Sequence, residues 1–156
     1  MKKTVLMFIT FLWICSNVNS QELTSSQKAK ITSEISTLFE KNIKSNESLD
    51  VSGLTESISD TLSAGFISQG VYYQSFEDLM KAVNNSMRGI KSQKTNISNK
   101  KITILSDSAA LLTASGNYSV ALEDGRTLTG WFAWTFVYSK VDGKWKVIHS
   151  HMSNPQ

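Results

Sequence analysis

The stretch from Gly130 to Asn154, GWFAWTFVYSKVDGKWKVIHSHMSN, decides how this chain folds. Apolar and polar residues alternate on both sides of Asp142-Gly143, which is the period of a β-strand. Asp-Gly is a pair that two-residue hairpin turns select, because both central residues need positive φ. Such a turn sets Val141 opposite Lys144, and with it Phe136 opposite His149 and Trp134 opposite His151. One face then carries Phe132, Trp134, Phe136 and Tyr138 of the first strand. Trp145, Val147, His149, His151 and Ser153 of the second strand share it. The opposite face pairs Trp131, Ala133, Thr135 and Val137 with Lys146, Ile148, Ser150 and Met152 and stays substantially apolar. A second apolar face on a small domain calls for a cover, and a second copy of the chain is the cover expected.

Upstream of the hairpin, strands are predicted over about 127–139, 109–121 and 96–105, separated by Asp124-Gly125 and Ser106-Asp107. Two registers stand open at Asp124-Gly125. A two-residue turn puts Thr113, Ser115, Asn117 and Ser119 beside the aromatic face. A three-residue turn with a bulge puts Leu112, Ala114, Tyr118 and Val120 there instead, since a slip of one residue flips every side chain.

Further upstream the apolar period becomes helical. Ser75 and Asp78 form a capping pair ahead of Phe76, Leu79, Met80, Val83 and Met87, and Gly89 supplies the stop. Before that helix, Leu62, Ala64 and Phe66 alternate as a short strand, and Gln69-Gly70 turns the chain toward Val71, Tyr72 and Tyr73. Val51, Leu54 and Ile58 mark a short helix after the turn chemistry of Asn46 to Asp50. Ile31, Ile35, Leu38, Phe39 and Ile43 stripe a long amphipathic helix from Leu23 to about Ile43. Three helices followed by four antiparallel strands, with no linker between them, predict one α+β domain whose helices cover one face of a curved sheet.

The 156 residues hold sixteen Lys and Arg against thirteen Asp and Glu, a net charge of +3, with one cysteine and one proline. Part of that balance belongs to the N-terminus. Lys2 and Lys3 precede the apolar run Val5 to Cys15, which is too short to span a bilayer and reads as a secretory signal. Val18 and Ser20 are small enough for signal-peptidase recognition, so residues 1–20 are expected to be a signal peptide and 21–156 the domain. Export to the periplasm or the medium follows, with no transmembrane helix in the mature form. Lipidation at Cys15 would need a small residue before it, where Ile14 stands. Removing residues 1–20 takes two lysines and no acid, so fourteen bases face thirteen acids, net +1, and the cysteine goes as well. A near-neutral surface without a dense basic stripe argues against nucleic acid as a partner.

The ending now quoted resembles that of SnoaL-like domains in the nuclear transport factor 2-like superfamily. Lys140, Asp142, Gly143, Trp145, Lys146, Val147, Ile148, His149, His151 and Ser153 carry the match, and the helix-then-sheet order over Leu23 to Ser153 agrees with it. The association domain of calcium/calmodulin-dependent kinase has a similar ending. The resemblance implies an α+β cone, with three N-terminal helices packed on a curved, mostly antiparallel sheet, a pocket between them, and dimerisation through the sheet.

Function is read from the pocket that this implies. His149, His151, Trp134, Phe136, Tyr73 and Tyr118 are its expected ligand-binding residues, and a small apolar or amphipathic molecule is the expected partner, with no cofactor. The two histidines at i, i+2 share a side of one strand, as metal ligands would, but no third His or Cys completes a set, so no metal is assigned. The alternative is an isomerase, dehydratase or hydrolase using acid/base groups in the same pocket, with Asp60 as base and Tyr72 or Tyr73 and His149 as donors. No catalytic residue is assigned from the sequence.

Overall fold

A computed structural model describes residues 22–154 of the chain. The predicted signal peptide, residues 1–20 with cleavage after Ser20, lies outside the described residues. Thr24 opens the first helix, α1 (Ser25–Glu47), through a reciprocal capping box in which its hydroxyl accepts from the Gln27 amide while Gln27 Oε1 accepts from the Thr24 amide. The helix buries Ile31, Ile35 and Phe39, one side chain per turn. Each fully buried residue of that kind contributes on the order of 1.5–3 kcal/mol. Asp50 caps the second helix, α2 (Val51–Glu56), by accepting from the Gly53 amide at 3.0 Å.

Two short strands follow, β1 (Phe66–Ser68) and β2 (Val71–Tyr73), joined at Gln69-Gly70 with φ of 53° and 77°. The alternation at Leu62 and Ala64 does not extend this strand, because Ser63 and Gly65 take φ of 47° and 69° and turn the chain. Ser75 caps the third helix, α3 (Phe76–Ser86), and Gly89 ends that segment at φ 76°. Four long strands complete the domain: β3 (Ile90–Ile104), β4 (Ala109–Leu122), β5 (Thr127–Val141) and β6 (Lys144–Ser153). β3 starts six residues before the position expected, since pairing with β4 runs on to Ile90↔Leu122.

The six strands form one sheet in the order β2-β1-β6-β5-β4-β3, antiparallel except where β1 lies parallel to β6. β3 is therefore an edge, and its lysines at 91, 94, 100 and 101 discourage edge-to-edge pairing. Helices followed by a curved, mostly antiparallel sheet is the α+β plan expected.

The three-residue alternative holds at Asp124-Gly125: Ala121 pairs with Thr127, and even-numbered residues face even-numbered ones across β4 and β5. At four of these pairs a large side chain consequently meets a small one. Tyr138 faces Ala110, Trp134 faces Ala114, Phe132 faces Gly116 and Tyr118 faces Gly130. A Cβ on Gly116 would strike the Asn96 carbonyl and approach the Phe132 ring to 2.8 Å; one on Gly130 would lie 2.5 Å from the Tyr118 hydroxyl. This complementarity packs the aromatic row of β5 against α1. Phe132 and Trp134 stack at 4.0 Å, and Phe136 meets Phe39 edge-on at 5.9 Å, contacts of about 0.5–1.5 kcal/mol each beyond their burial.

The second hairpin requires a correction. Val141 does pair with Lys144 through Asp142 and Gly143, at φ 49° and 74°, but the predicted register lasts only to Tyr138↔Val147. The next pair is Val137↔His149, so Ile148 is an extra residue in β6. Beyond it, Phe136 faces Ser150 and Trp134 faces Met152, while His149 and His151 turn to the other side of the sheet. The edge partners of β6 change at the same place. Val147 exchanges backbone hydrogen bonds with Ser57 and Ser59, whereas Ile67 and Ser68 of β1 pair with His151 and Met152.

Candidate functional site

Between α1, α3 and the concave face of the sheet lies a cavity of about 300 Å³. Its walls follow from helical and strand periods. Phe39, Asn42, Ile43 and Asn46 line it from α1, at the spacing of one helix face. Leu79, Met80, Val83 and Met87 line it from α3 and the turn that follows. The sheet contributes Tyr118, Val120, Trp134, Phe136, Ser150 and Met152, all on the concave side. Three of the residues expected to bind a ligand, Trp134, Phe136 and Tyr118, are therefore brought together here.

The other three are elsewhere. The extra residue at Ile148 puts His149 and His151 on the opposite side of β6, which corrects their expected place beside the aromatic row. The His149 imidazole meets the Gly65 carbonyl at 2.8 Å, and His151, exposed, lies 3.4 Å from the Ser153 hydroxyl. His151 lines a more open groove of about 570 Å³ with Lys101, Thr113, Thr135 and Ser153 on the convex side. Tyr73 pairs with Phe66 on the edge hairpin and does not reach the cavity wall. Asp60, the base of the alternative reading, spends one oxygen on the first amide of α3, accepting from Phe76 at 2.8 Å. Neither histidine is its hydrogen-bond partner, and it is absent from the cavity wall.

The polar groups of the cavity are nearly all neutral amides and hydroxyls. Trp134 donates from Nε1 to Asn154 Oδ1 at 3.2 Å. The Gln93 side-chain amide donates to the Asn46 carbonyl, and the Thr95 backbone amide donates to Glu47 Oε1 at 2.8 Å. Lys94 is the one charged residue on the wall; its ammonium lies 3.5 Å from Glu47, with 68% of its side chain in solvent. Among the described residues no Asp, Glu, His or Cys lines the cavity. No three such residues gather anywhere among the described residues in a way that could hold a metal ion.

Three polar atoms among the described residues are buried without a hydrogen-bond partner, and one of them is Asp60 Oδ1, the oxygen that Phe76 leaves free. The Tyr138 hydroxyl is buried in the core with no hydrogen-bond partner, and burial pushes its pKa upward. Asn42 Oδ1 is also buried with no protein donor, and it belongs to a residue of the cavity wall. Leaving such an atom unpaired costs about 1–3 kcal/mol. The sequence carried a signal for Asn42, since a polar residue interrupts the apolar stripe of Ile35, Phe39 and Ile43 at the i+3 position from Phe39. It likewise carried one for the β6 register: apolar positions are odd at Trp145 and Val147 but even at Met152.

A family model described as calcium/calmodulin dependent protein kinase II association domain matches residues 31–156. No curated protein sequence matches the chain. Among solved structures, a nuclear transport factor 2-like superfamily protein from Salmonella enterica serovar Typhimurium superposes with a TM-score of 0.74 at 15% identity, covering 83% of this chain and 94% of its own. A candidate scytalone dehydratase from Novosphingobium aromaticivorans gives 0.74 at 12% identity, with 85% and 89% covered. A candidate calcium/calmodulin dependent protein kinase II association domain from Xanthomonas campestris gives 0.62 at 18% identity, with 81% and 86% covered. At these identities the likeness concerns the fold, and the nuclear transport factor 2-like cone expected from the sequence is the fold found.

Proposed function

The chain belongs to the calcium/calmodulin dependent protein kinase II association domain family, and from that premise we propose that it is an exported domain that binds a small apolar or amphipathic molecule in its concave cavity and pairs with a second copy through its sheet. The cavity wall carries the first part of this reading. About 300 Å³ enclosed by aliphatic, aromatic and neutral amide side chains suits a small molecule of low polarity. No carboxylate or imidazole lines this space among the described residues, and of the other common proton-transfer groups Tyr118 and Lys94 stand on the wall. The dehydratase description of the structural neighbour belongs to that neighbour.

Pairing is supported by the convex face. Trp131 stands on it with 65% of its surface exposed, flanked by the outward residues Ala133, Thr135 and Val137, and association is the property for which the family is named. Export rests on the residues 1–20 pattern.

Native mass spectrometry of the protein purified from its own export compartment tests the ligand reading. Retention of a small molecule released on unfolding is the expected result. Absence of any retained species, with no response of Trp134 fluorescence to apolar probes, would count against a ligand cavity.

A further inference from the structure

We propose that the ligand of the concave cavity is a small amphiphile whose apolar body lies in the cavity and whose singly charged head, a carboxylate, is held at the mouth by the Lys94 ammonium. The inference rests on the reading of this cavity as a ligand site and adds the head group to it. Three residues of the wall, Gln69, Ser86 and Lys94, are exposed while the others are buried or half-buried, so the cavity meets solvent where its wall turns polar. Of these three only Lys94 carries a charge. Its register partner is Ser119, on the convex side of β4, yet its ammonium lies 3.5 Å from Glu47 at the end of α1, so the side chain folds over the free edge of β3. Glu47 is in turn tied to the Thr95 amide at 2.8 Å and stands on one side of the ammonium only. An ammonium has three donors, which leaves room for a second anion beside it.

Lys94 and Glu47 taken alone are neutral, and the surplus of positive charge comes from the chain around them. From Leu79 to Ser106 the sequence holds six lysines and arginines and no Asp or Glu. That segment forms most of α3 and all of β3, two sides of the cavity. Glu77 and Asp78 take up Lys81, and Glu40 takes up Lys100. Arg88 and Lys91 follow the wall residues Met87 and Ile90, are exposed, and form no ion pair among the described residues. A mouth of one sign above an apolar interior draws in a molecule of the opposite sign and leaves its hydrocarbon to Leu79, Met80, Val83 and Met87. With one ammonium and no arginine on the wall, a single negative charge is matched better than the two of a phosphate. A cationic head would find no carboxylate on the wall to receive it.

Three probes of matched chain length separate head from body: octanoate, an anion; 1-octanol, which is neutral; and octylammonium, a cation. Calorimetric titration of the purified protein at neutral pH should show octanoate binding about fivefold more tightly than 1-octanol, with octylammonium the weakest. High salt should erase the advantage of octanoate and leave 1-octanol affinity within about threefold, since only the first depends on charge. In Lys94→Gln the ratio of octanoate to 1-octanol affinity should fall to about one while 1-octanol holds within about threefold. Lys94→Arg keeps the charge and should keep the preference, and because Lys94 is exposed both variants should retain the wild-type circular dichroism spectrum. Equal binding of octanoate and 1-octanol to the wild type, or a preference unchanged in Lys94→Gln, overturns the inference and leaves the cavity reading standing. Failure of all three probes to bind the wild-type protein overturns the cavity reading and this inference with it.

Discussion

His149 donates from Nδ1 to the carbonyl oxygen of Gly65 at 2.8 Å. A carbonyl can only accept, so this contact fixes the imidazole proton on Nδ1. The bond spans the gap in the edge pairing of β6. On one side of the gap Val147 pairs with Ser57 and Ser59, on the other β1 pairs with His151 and Met152, and the intervening loop turns at Ser63 and Gly65. The histidine therefore ties a loop to the sheet. His149→Ala should cost about 0.5–1.5 kcal/mol in urea denaturation and leave probe affinity in the cavity unchanged, with His149→Asn recovering part of the loss. A fall in probe affinity at unaltered stability would instead return His149 to the binding site.

Tyr138 offers a substitution that should run against the usual trend of core variants. Its ring fills the centre of the core, while its hydroxyl is buried without a partner. Tyr138→Phe keeps the ring and removes the unpaired group, so stability should stay level or rise by up to about 1 kcal/mol. Thermal denaturation decides it, and a loss beyond about 1 kcal/mol would reveal a partner for the hydroxyl.

Filling the cavity separates binding from folding. Val83 projects from α3 into open volume, so Val83→Phe places its extra atoms where no side chain stands. Affinity for 1-octanol should drop at least about tenfold, by the same titration, with the melting temperature within a few degrees of wild type. Undiminished binding would place the probe elsewhere.

Acid should loosen the clasp between α1 and β3. Lys100 Nζ lies 3.0 Å from Glu40 Oε1 and 2.7 Å from Ser36 Oγ. The hydrogen bond from Lys100, then that from Ser36, then the Lys100 charge hold the Glu40 carboxyl below its ordinary value of 4.5. A depressed folded pKa adds stability at pH above the unfolded value, and that stability disappears as pH falls through the folded one. The melting temperature of the wild type should therefore exceed that of Glu40→Gln at pH 7, with the gap closing toward pH 3 and shrinking in high salt. A gap independent of pH would assign the difference to packing.

Trp131 tests the pairing of two copies. Trp131→Glu places a charge on the exposed part of the convex face and should leave a monomer in sedimentation equilibrium where the wild type is expected to pair, without moving the far-ultraviolet circular dichroism spectrum. A wild-type protein already monomeric at tens of micromolar would remove the dimer proposal itself.

Much of this architecture was legible along the chain because its causes are local. The capping pair Ser75 and Asp78, the one-per-turn stripe of Ile31, Ile35 and Phe39, the positive-φ turns at Gln69-Gly70 and Asp142-Gly143, and the even parity of Phe132 to Tyr138 each depend on residues within a few positions. Those features determine the element order, the first pairs of the last hairpin and the aromatic row that Trp134 and Phe136 bring to the cavity. The tertiary structure alone decided where His149 and His151 point. One extra residue at Ile148 reverses every side chain after it, and it lies where β6 changes edge partners from Ser57 and Ser59 to β1, more than eighty residues away in sequence. The same holds for Asn42: a helical period places it on the cavity face, but only the packing of α1, α3 and the sheet shows that no protein donor reaches its oxygen.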